Sequence, residues 1–496
     1  MGTYRGTISD DTITPDALSL GVAADPAGTR PSDAADVISG AGGADTIAGG
    51  GGADSISFSG VGSVVQGGFG NDDITYAIPT SGLVGASAYG DAGNDNISFE
   101  KPLNGEDYSG LSGEIRLRGG TGSDTLSGTM WPGNNSERIA GVDVYMYGED
   151  GNDTLDASKQ ATYSNLYDWE PGNNDDLLYG GPGDDTYIVY EQKDVVIELS
   201  GQGHDTIESY GVDYALGPDV ERLALSPNIP DGISFAGNDL SNEIIGGFLS
   251  DALRGLGGAD TLDGREGADV LYGDLGNDTI YGQDGDDTIY GGRGLDDPTD
   301  GPDRIYGDAG NDQVWAGGGD DTVYGGTGNE IHLSGQSGND TLYGDAGTDY
   351  LAGGSGNDIL YGGTENDRLS GTDGLDRLFG QGGTDTFDYD AVSHSPVGTT
   401  LRDVVGDFTG VGGSTRTEVI DLSTIDANTG VSGNQAFTFR GTSAFSAPGQ
   451  IRVQASGNSD TLIQANVTGT SGAEMEILVT DGSALPTSWN ALDFLL

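Results

Sequence analysis

Gly273-Asp-Leu-Gly-Asn-Asp278-Thr-Ile280-Tyr281-Gly282 is the stretch on which the reading of this chain turns. An Asp is followed two positions later by an aliphatic residue, and a glycine-rich turn leads to the next such pair. The unit recurs every nine residues at Asp251, Asp260, Asp269, Asp278 and Asp287. After a short insertion it returns at Asp303, Asp312 and Asp321, and then at Asp340, Asp349, Asp358, Asp367, Asp376 and Asp385. The pattern is G-G-x-G-x-D-x-U-x, and self-similarity at a fixed period marks a solenoid.

The aliphatic position keeps the same phase through Leu262, Leu271, Ile280, Ile289, Ile305, Val314, Val323, Leu342, Leu351, Leu360, Leu369 and Leu378. One apolar residue in nine cannot make a helix stripe. Flanked by Thr and Tyr, it reads as the inward residue of a very short strand, with the glycine-rich hexapeptide as a turn. Two strand-turn units then make one coil.

Outward from this block the phase loosens. Copies centred on Asp45, Asp54, Asp72, Asp95, Asp124, Asp153, Asp185 and Asp205 are separated by insertions of varied length. Insertions in a solenoid map to loops on one face. Residues 1–236 are therefore expected to be an irregular, decorated solenoid and 237–386 the regular roll.

With 80 Asp+Glu against 19 Lys+Arg, the net charge is -61. Such a chain repels nucleic acid and anionic membranes, so a neutralising partner must be cationic. The 91 Gly and 34% hydrophobic residues lean toward disorder, but disorder predicts no phase. There is no Cys to staple the fold. The N-terminal residues lack a basic flank followed by an apolar stretch, and no segment approaches membrane-spanning length; export, where it occurs, is expected to use no cleaved N-terminal signal.

Stacked strands lie about 4.8 Å apart, so a two-nonapeptide coil sets Asp260 against Asp278 and Asp349 against Asp367. Each such pair repels by roughly 1 kcal/mol in water and about 4 kcal/mol at an effective dielectric near 20. A dozen of them would exceed the stability of a domain. Calcium reverses the sign, because it accepts carboxylate and backbone carbonyl oxygens in flexible geometry, which magnesium tolerates poorly. The phased Asp residues of both halves, from Asp45 to Asp185 and from Asp251 to Asp385, are the expected ligands of multiple calcium ions. Acidification is expected to release the metal and unfold the roll.

These repeats resemble the RTX (repeats-in-toxin) family of secreted calcium-binding proteins. Asp185-Thr-Tyr187, Asp194-Val-Val-Ile-Glu198, Gly203-His-Asp205-Thr-Ile207, Val220-Glu-Arg-Leu223 and Gly237-Asn-Asp-Leu-Ser-Asn242 look like a linker module between RTX blocks. Residues 387–496 resemble the C-terminal domain of serralysin-type (peptidase M10) exoproteins through Phe387-Asp-Tyr, Asp403-Val-Val-Gly-Asp407-Phe408, Val419-Ile-Asp421-Leu422-Ser423, Gln435-Ala-Phe437, Phe445, Gly449-Gln-Ile-Arg452 and Leu492-Asp-Phe494-Leu-Leu496. The resemblance implies a β-rich secretion domain whose end, Asp493 to Leu496, is read uncleaved by type I secretion machinery.

No H-E-x-x-H is present, and His204, His332 and His394 lie far apart. No Ser sits in G-x-S-x-G. The Gly-Gly-x-Gly runs lack the Lys-Ser/Thr of a phosphate loop. The expectation is an all-β, parallel β-roll or β-helix protein that is secreted, binds calcium and is not an enzyme. Its role would be structural, surface-associated or adhesive, with extracellular polysaccharide or further copies of itself as partners. The alternative is a polysaccharide-acting exoenzyme (lyase, epimerase or glycosidase) with two carboxylates in residues 55–180.

Overall fold

A strand of two to ten residues cannot stand alone, and these are stable because each pairs with its counterpart one coil away. A computed structural model of the chain describes residues 3–6, 11–14, 23–25, 31–32, 34–78, 83–100, 112–130, 142–160, 176–227, 229, 232–294, 300–409, 418–457, 460–469, 472–480 and 488–496. They form two compact units, Met1–Ile229 and Pro230–Leu496. Both are parallel β-solenoids, as the repeat implies.

In the N-terminal unit one row of parallel strands runs Val37–Ser39, Ser55–Ser59, Asp73–Ala77, Asn96–Glu100, Thr125–Met130, Thr154–Gln160, Thr186–Val189, Thr206–Ser209 and Arg222–Leu225. The second row runs Thr12–Ile13, Thr46–Gly51, Ser63–Phe69, Leu83–Ala92, Ser112–Thr121, Val142–Asp150, Leu177–Tyr179 and Val195–Ile197. Register follows the inward side chain. Ile38, Ile56, Ile74, Ile97, Leu126, Leu155, Tyr187, Ile207 and Leu223 stack one above the next in the first row, all buried. Each buried Leu or Ile contributes about 1.5–3 kcal/mol, and the pleat turns every second residue inward.

The C-terminal unit is the regular one. Val270 pairs with Thr288 and Thr261 with Thr279, the eighteen-residue offset of a two-nonapeptide coil. All twelve aliphatic residues listed above are fully buried, in two facing columns. Gly276 shows why the turn is glycine-rich: its φ is +147° and the Gly258 carbonyl of the coil below lies against its Cα.

Two expected boundaries shift. The division between units falls after Ile229, a few residues before 236. At 386 there is none, because Thr386–Asp388 spans it as a roll strand and pairs onward with Val419–Asp421, which pairs with Phe494–Leu495. In the facing row Arg377–Gly382 is followed by Val404–Val405 and Met475–Val479. What changes is direction: Asp460–Asn466 runs antiparallel between Gln450–Ser456 and Met475–Val479. The turn consensus is lost after Asp385 while the coil continues. Among the described residues no helix is long and apolar enough to cross a membrane.

Candidate metal centre

Each repeat Asp immediately precedes its strand, so successive coils stack their carboxylates at one edge. In the C-terminal unit one edge carries Asn242, Asp260, Asp278, Asp303, Asp321, Asp340, Asp358, Asp376 and Asp403. The backbone N–H of each donates to Oδ1 of the next, at 2.7–2.9 Å. The other edge links Asp251, Asp269, Asp287 and Asp312 at 2.8 Å and, beyond Glu330, Asp349, Asp367 and Asp385 at 3.0 Å.

The N-terminal unit differs between its edges. One edge holds an unbroken ladder, Asp36, Asp54, Asp72, Asp95, Asp124, Asp153, Asp185 and Asp205, with the same N–H to Oδ1 bonds at 2.7–2.9 Å. Asp45 does not belong to it. Asp45 lies on the opposite edge, where it accepts from the Asp11 amide at 3.1 Å and donates its own amide to Ser63 Oγ at 3.1 Å. On that edge a carboxylate returns at Asp176, whose Oδ1 accepts from the Val144 amide at 3.3 Å.

The second carboxylate oxygen decides what the ladders do. Oδ2 has no hydrogen-bond partner in Asp54, Asp72, Asp95, Asp124, Asp153, Asp185, Asp260, Asp269, Asp278, Asp287, Asp303, Asp312, Asp321, Asp340, Asp349, Asp358, Asp367, Asp376 and Asp385, all buried. Asp251 alone among the expected ligands is satisfied locally, by the Gly247 amide at 2.6 Å. An orphaned buried carboxylate oxygen costs several kcal/mol, so a regular column of them requires a cation.

The surroundings fit a hard one. Oδ2 of Asp278 closes over the Cα of Gly273, where a Cβ would also lie 2.6 Å from the Gly291 carbonyl of the next coil. Asp269 closes likewise over Gly264, 3.0 Å from the Gly282 carbonyl, and Asp358 over Gly353, 2.8 Å from that of Gly371. Glycine keeps open a space lined by carboxylate and carbonyl oxygens, which is the donor set of calcium.

Burial is the leading cause of raised pKa values along both ladders, opposed by the donated amide and reinforced by nearby carboxylates. It lifts Asp260, Asp269, Asp312, Asp321, Asp358 and Asp367 to about 7, Asp340 and Asp185 to about 8, and Asp303 to about 9. Without a cation Asp185, Asp303 and Asp340 hold protons at neutral pH, so metal binding there displaces them.

Residues 32–60, 116–129, 143–161, 172–196, 236–271, 245–280, 264–298, 297–329, 332–360 and 361–391 match the RTX calcium-binding nonapeptide repeat. The chain carries RTX calcium-binding repeats. Calcium ions are therefore bound at multiple sites along it, and the columns of buried Oδ2 atoms are the candidate ligands. No curated protein matches the chain.

Several members of the RTX ladders do not announce themselves in the sequence. Glu330 takes an Asp position with both Oε atoms buried and unpartnered, nine residues after Asp321 but ten before Asp340. Asn242 caps one ladder with an amide in place of a carboxylate. Asp403 extends it, with Oδ2 orphaned and its pKa lifted to about 9 by burial and Asp376. Asp11 and Asp36, where the repeats are read to begin, do stand at the start of the N-terminal edges.

The outward aromatic residues form two stacks. Tyr272, Tyr290 and Trp315 lie on one sheet; Tyr281, Tyr306, Tyr324, Tyr343, Tyr361 and Phe379 lie on the other, with centroids 4.9–5.0 Å apart and planes within 15° of parallel. His332 continues the first stack against Trp315 at 5.7 Å.

Proposed function

We propose that this is an exported structural or surface-associated protein, non-enzymatic, whose two solenoids fold when calcium fills the carboxylate ladders outside the cell. The observation that carries it is the column of buried, unpartnered Oδ2 atoms: the fold is incomplete without a cation at every coil. Calcium at extracellular levels suits sites of about 10⁻⁴–10⁻³ M, and a low-calcium cytoplasm would leave the chain open for export. RTX repeat proteins are generally secreted, which supports this direction. The serralysin-like motifs of residues 387–496 support export by type I secretion machinery. Circular dichroism and hydrodynamic radius with calcium and with chelator test the proposal; identical spectra and radii would end it.

For an adhesive role the partner is another copy of the chain in preference to a polysaccharide. Rings stacked at 4.9 Å spend their faces on one another and offer only edges outward, which suits edge packing between rolls better than a sugar face. Light scattering of the calcium-loaded chain at rising concentration would show the self-association.

One observation favours a second reading, a polysaccharide-acting site in the N-terminal unit. A groove of about 400 Å³ there is lined by Phe69, Tyr89, Asp91, Arg118 and Glu149. Arg118 donates to Glu149 at 2.9 Å, and Asp91 is raised in pKa by burial and by Glu149. Release of reducing or unsaturated ends from polysaccharide, lost in D91N, would establish this reading over the first.

A further inference from the structure

Through most of the N-terminal unit the second row follows one rule: the residue after the outward strand residue is glycine. Gly67, Gly90, Gly119, Gly148 and Gly180 occupy this position in register. Each has its Cα against the Oδ2 of a ladder Asp: Asp72, Asp95, Asp124, Asp153 and Asp185 in turn. One coil later the rule breaks. Tyr179 pairs with Ile197, so the position after Gly180 in the column belongs to Glu198.

A second departure matches the first. The inward column of the first row holds Leu155 and Ile207 on either side of Tyr187. The Tyr187 hydroxyl donates to Glu198 Oε1, and both it and Asp185 Oδ2 lie against the Cα of Gly180. Two residues that break the core pattern thus meet at one ladder rung.

The result is a group of carboxylates from Asp185, Glu198 and Asp205 with one oxygen each within 4.8 Å of the others. All three residues are more than nine-tenths buried. Asp185 Oδ2 and Glu198 Oε2 have no hydrogen-bond partner. Oε1 is committed to Tyr187, so the phenol fixes which oxygen of Glu198 stays free.

We infer that Asp185, Glu198 and Asp205 bind one calcium ion through three side-chain carboxylates, with Tyr187 as the positioning residue. An ordinary rung offers two carboxylates; this one offers three, and ligand charge is what tunes calcium affinity over decades. The ion here is the first to bind and the last to be removed. It rests on the calcium reading of the repeats but is a separate claim about one coil.

Calcium titration of the full chain by calorimetry, with a competing chromophoric chelator, tests it. The native chain should show one ion at least tenfold tighter than the remainder. E198Q should lose that step and keep the weaker ones, whereas D340N should lose a weaker ion and keep the tight one. An E198Q titration superimposable on the native one overturns the inference. Should E198Q fail to fold in saturating calcium, Y187F keeps the ring in the core while freeing Glu198. A tight step weakened about threefold or more, with the others unmoved, supports the site; an unchanged one overturns it. A native chain that binds no calcium would overturn the repeat reading as well, which the variants alone cannot do.

Discussion

The backbone amide of Asp260 donates to Oδ1 of Asp278 at 2.8 Å, while Oδ2 of the same carboxylate has no partner. One oxygen is held by the chain and the other is kept for the ion. Each coil therefore orients the ligand of the next, and the loss of one carboxylate is felt by two coils.

Asp340 tests the balance between repulsion and coordination. It lies between Asp321 and Asp358, and D340N keeps the Oδ1 acceptor while removing the charge. With calcium at about a hundredfold above Kd, loss of one ion should cost about 2.7 kcal/mol. In chelator at neutral pH the loss should vanish, because Asp340, raised to about 8 by burial, already holds a proton there and the substitution removes no charge. Urea unfolding of both proteins in both conditions measures it; destabilisation of equal size with and without calcium would show that Asp340 is not a ligand.

The pH dependence should also split by metal. In the metal-free roll burial raises the ladder Asp residues to about 6–9 from 3.8, so the folded state holds protons that the unfolded chain releases. Stability from this source is greatest below about pH 4 and declines as pH rises through the folded pKa values. In calcium the ionised form is required, and acid expels the ion. Acid release is still to be expected, but protonated carboxyls no longer repel, so unfolding need not accompany it. Chelated protein should gain β-signal between pH 8 and pH 5 while calcium-loaded protein loses ions over the same range, as read by circular dichroism and a calcium electrode.

Gly264→Ala places a methyl group between Asp269 Oδ2 and the Gly282 carbonyl. One ion should disappear from the titration, and the calcium midpoint of folding should rise. The same count of ions as in the native chain would show that the cradle lies elsewhere.

Tyr324 stands between Tyr306 at 5.0 Å and Tyr343 at 4.9 Å. Tyr324→Thr keeps a strand-forming residue and removes two ring contacts, so stability in saturating calcium should fall by about 1 kcal/mol with the number of ions unchanged. A larger loss, or a lost ion, would mean that the stack supports the turns.

The roll from Asp251 to Asp385 was legible almost residue by residue, because a fixed period of nine leaves strand, turn and ligand no freedom of phase. Glu330 escaped because its coil is one residue longer, and Asp403 because the glycine turn before it is gone while the strand after it remains. In the N-terminal unit the spacing is the obstacle: consecutive ladder members Asp72, Asp95, Asp124, Asp153 and Asp185 are 23, 29, 29 and 32 residues apart. The nine residues between Asp45 and Asp54 put them on opposite edges, but beyond Asp72 spacing alone could not assign an edge. Glu198 was visible as part of a motif, but its partners Asp185 and Asp205 are brought to it only by the coil.

Those uneven spacings have one origin. Phe69 precedes Asp72 by three residues, Ala92 precedes Asp95 by three, Thr121 precedes Asp124 by three and Asp150 precedes Asp153 by three, so the turn entering the first row never varies. The added length lies between a strand of the first row and the next strand of the second: after Asp73–Ala77, Asn96–Glu100, Thr125–Met130 and Thr154–Gln160. A foreign peptide grafted into one of these connections would lengthen a coil without separating carboxylates that share an ion. The same peptide between Thr121 and Asp124 would part Asp95 from Asp124. One edge of this unit is thus an attachment rail for new sequence, and the opposite edge fixes the pitch.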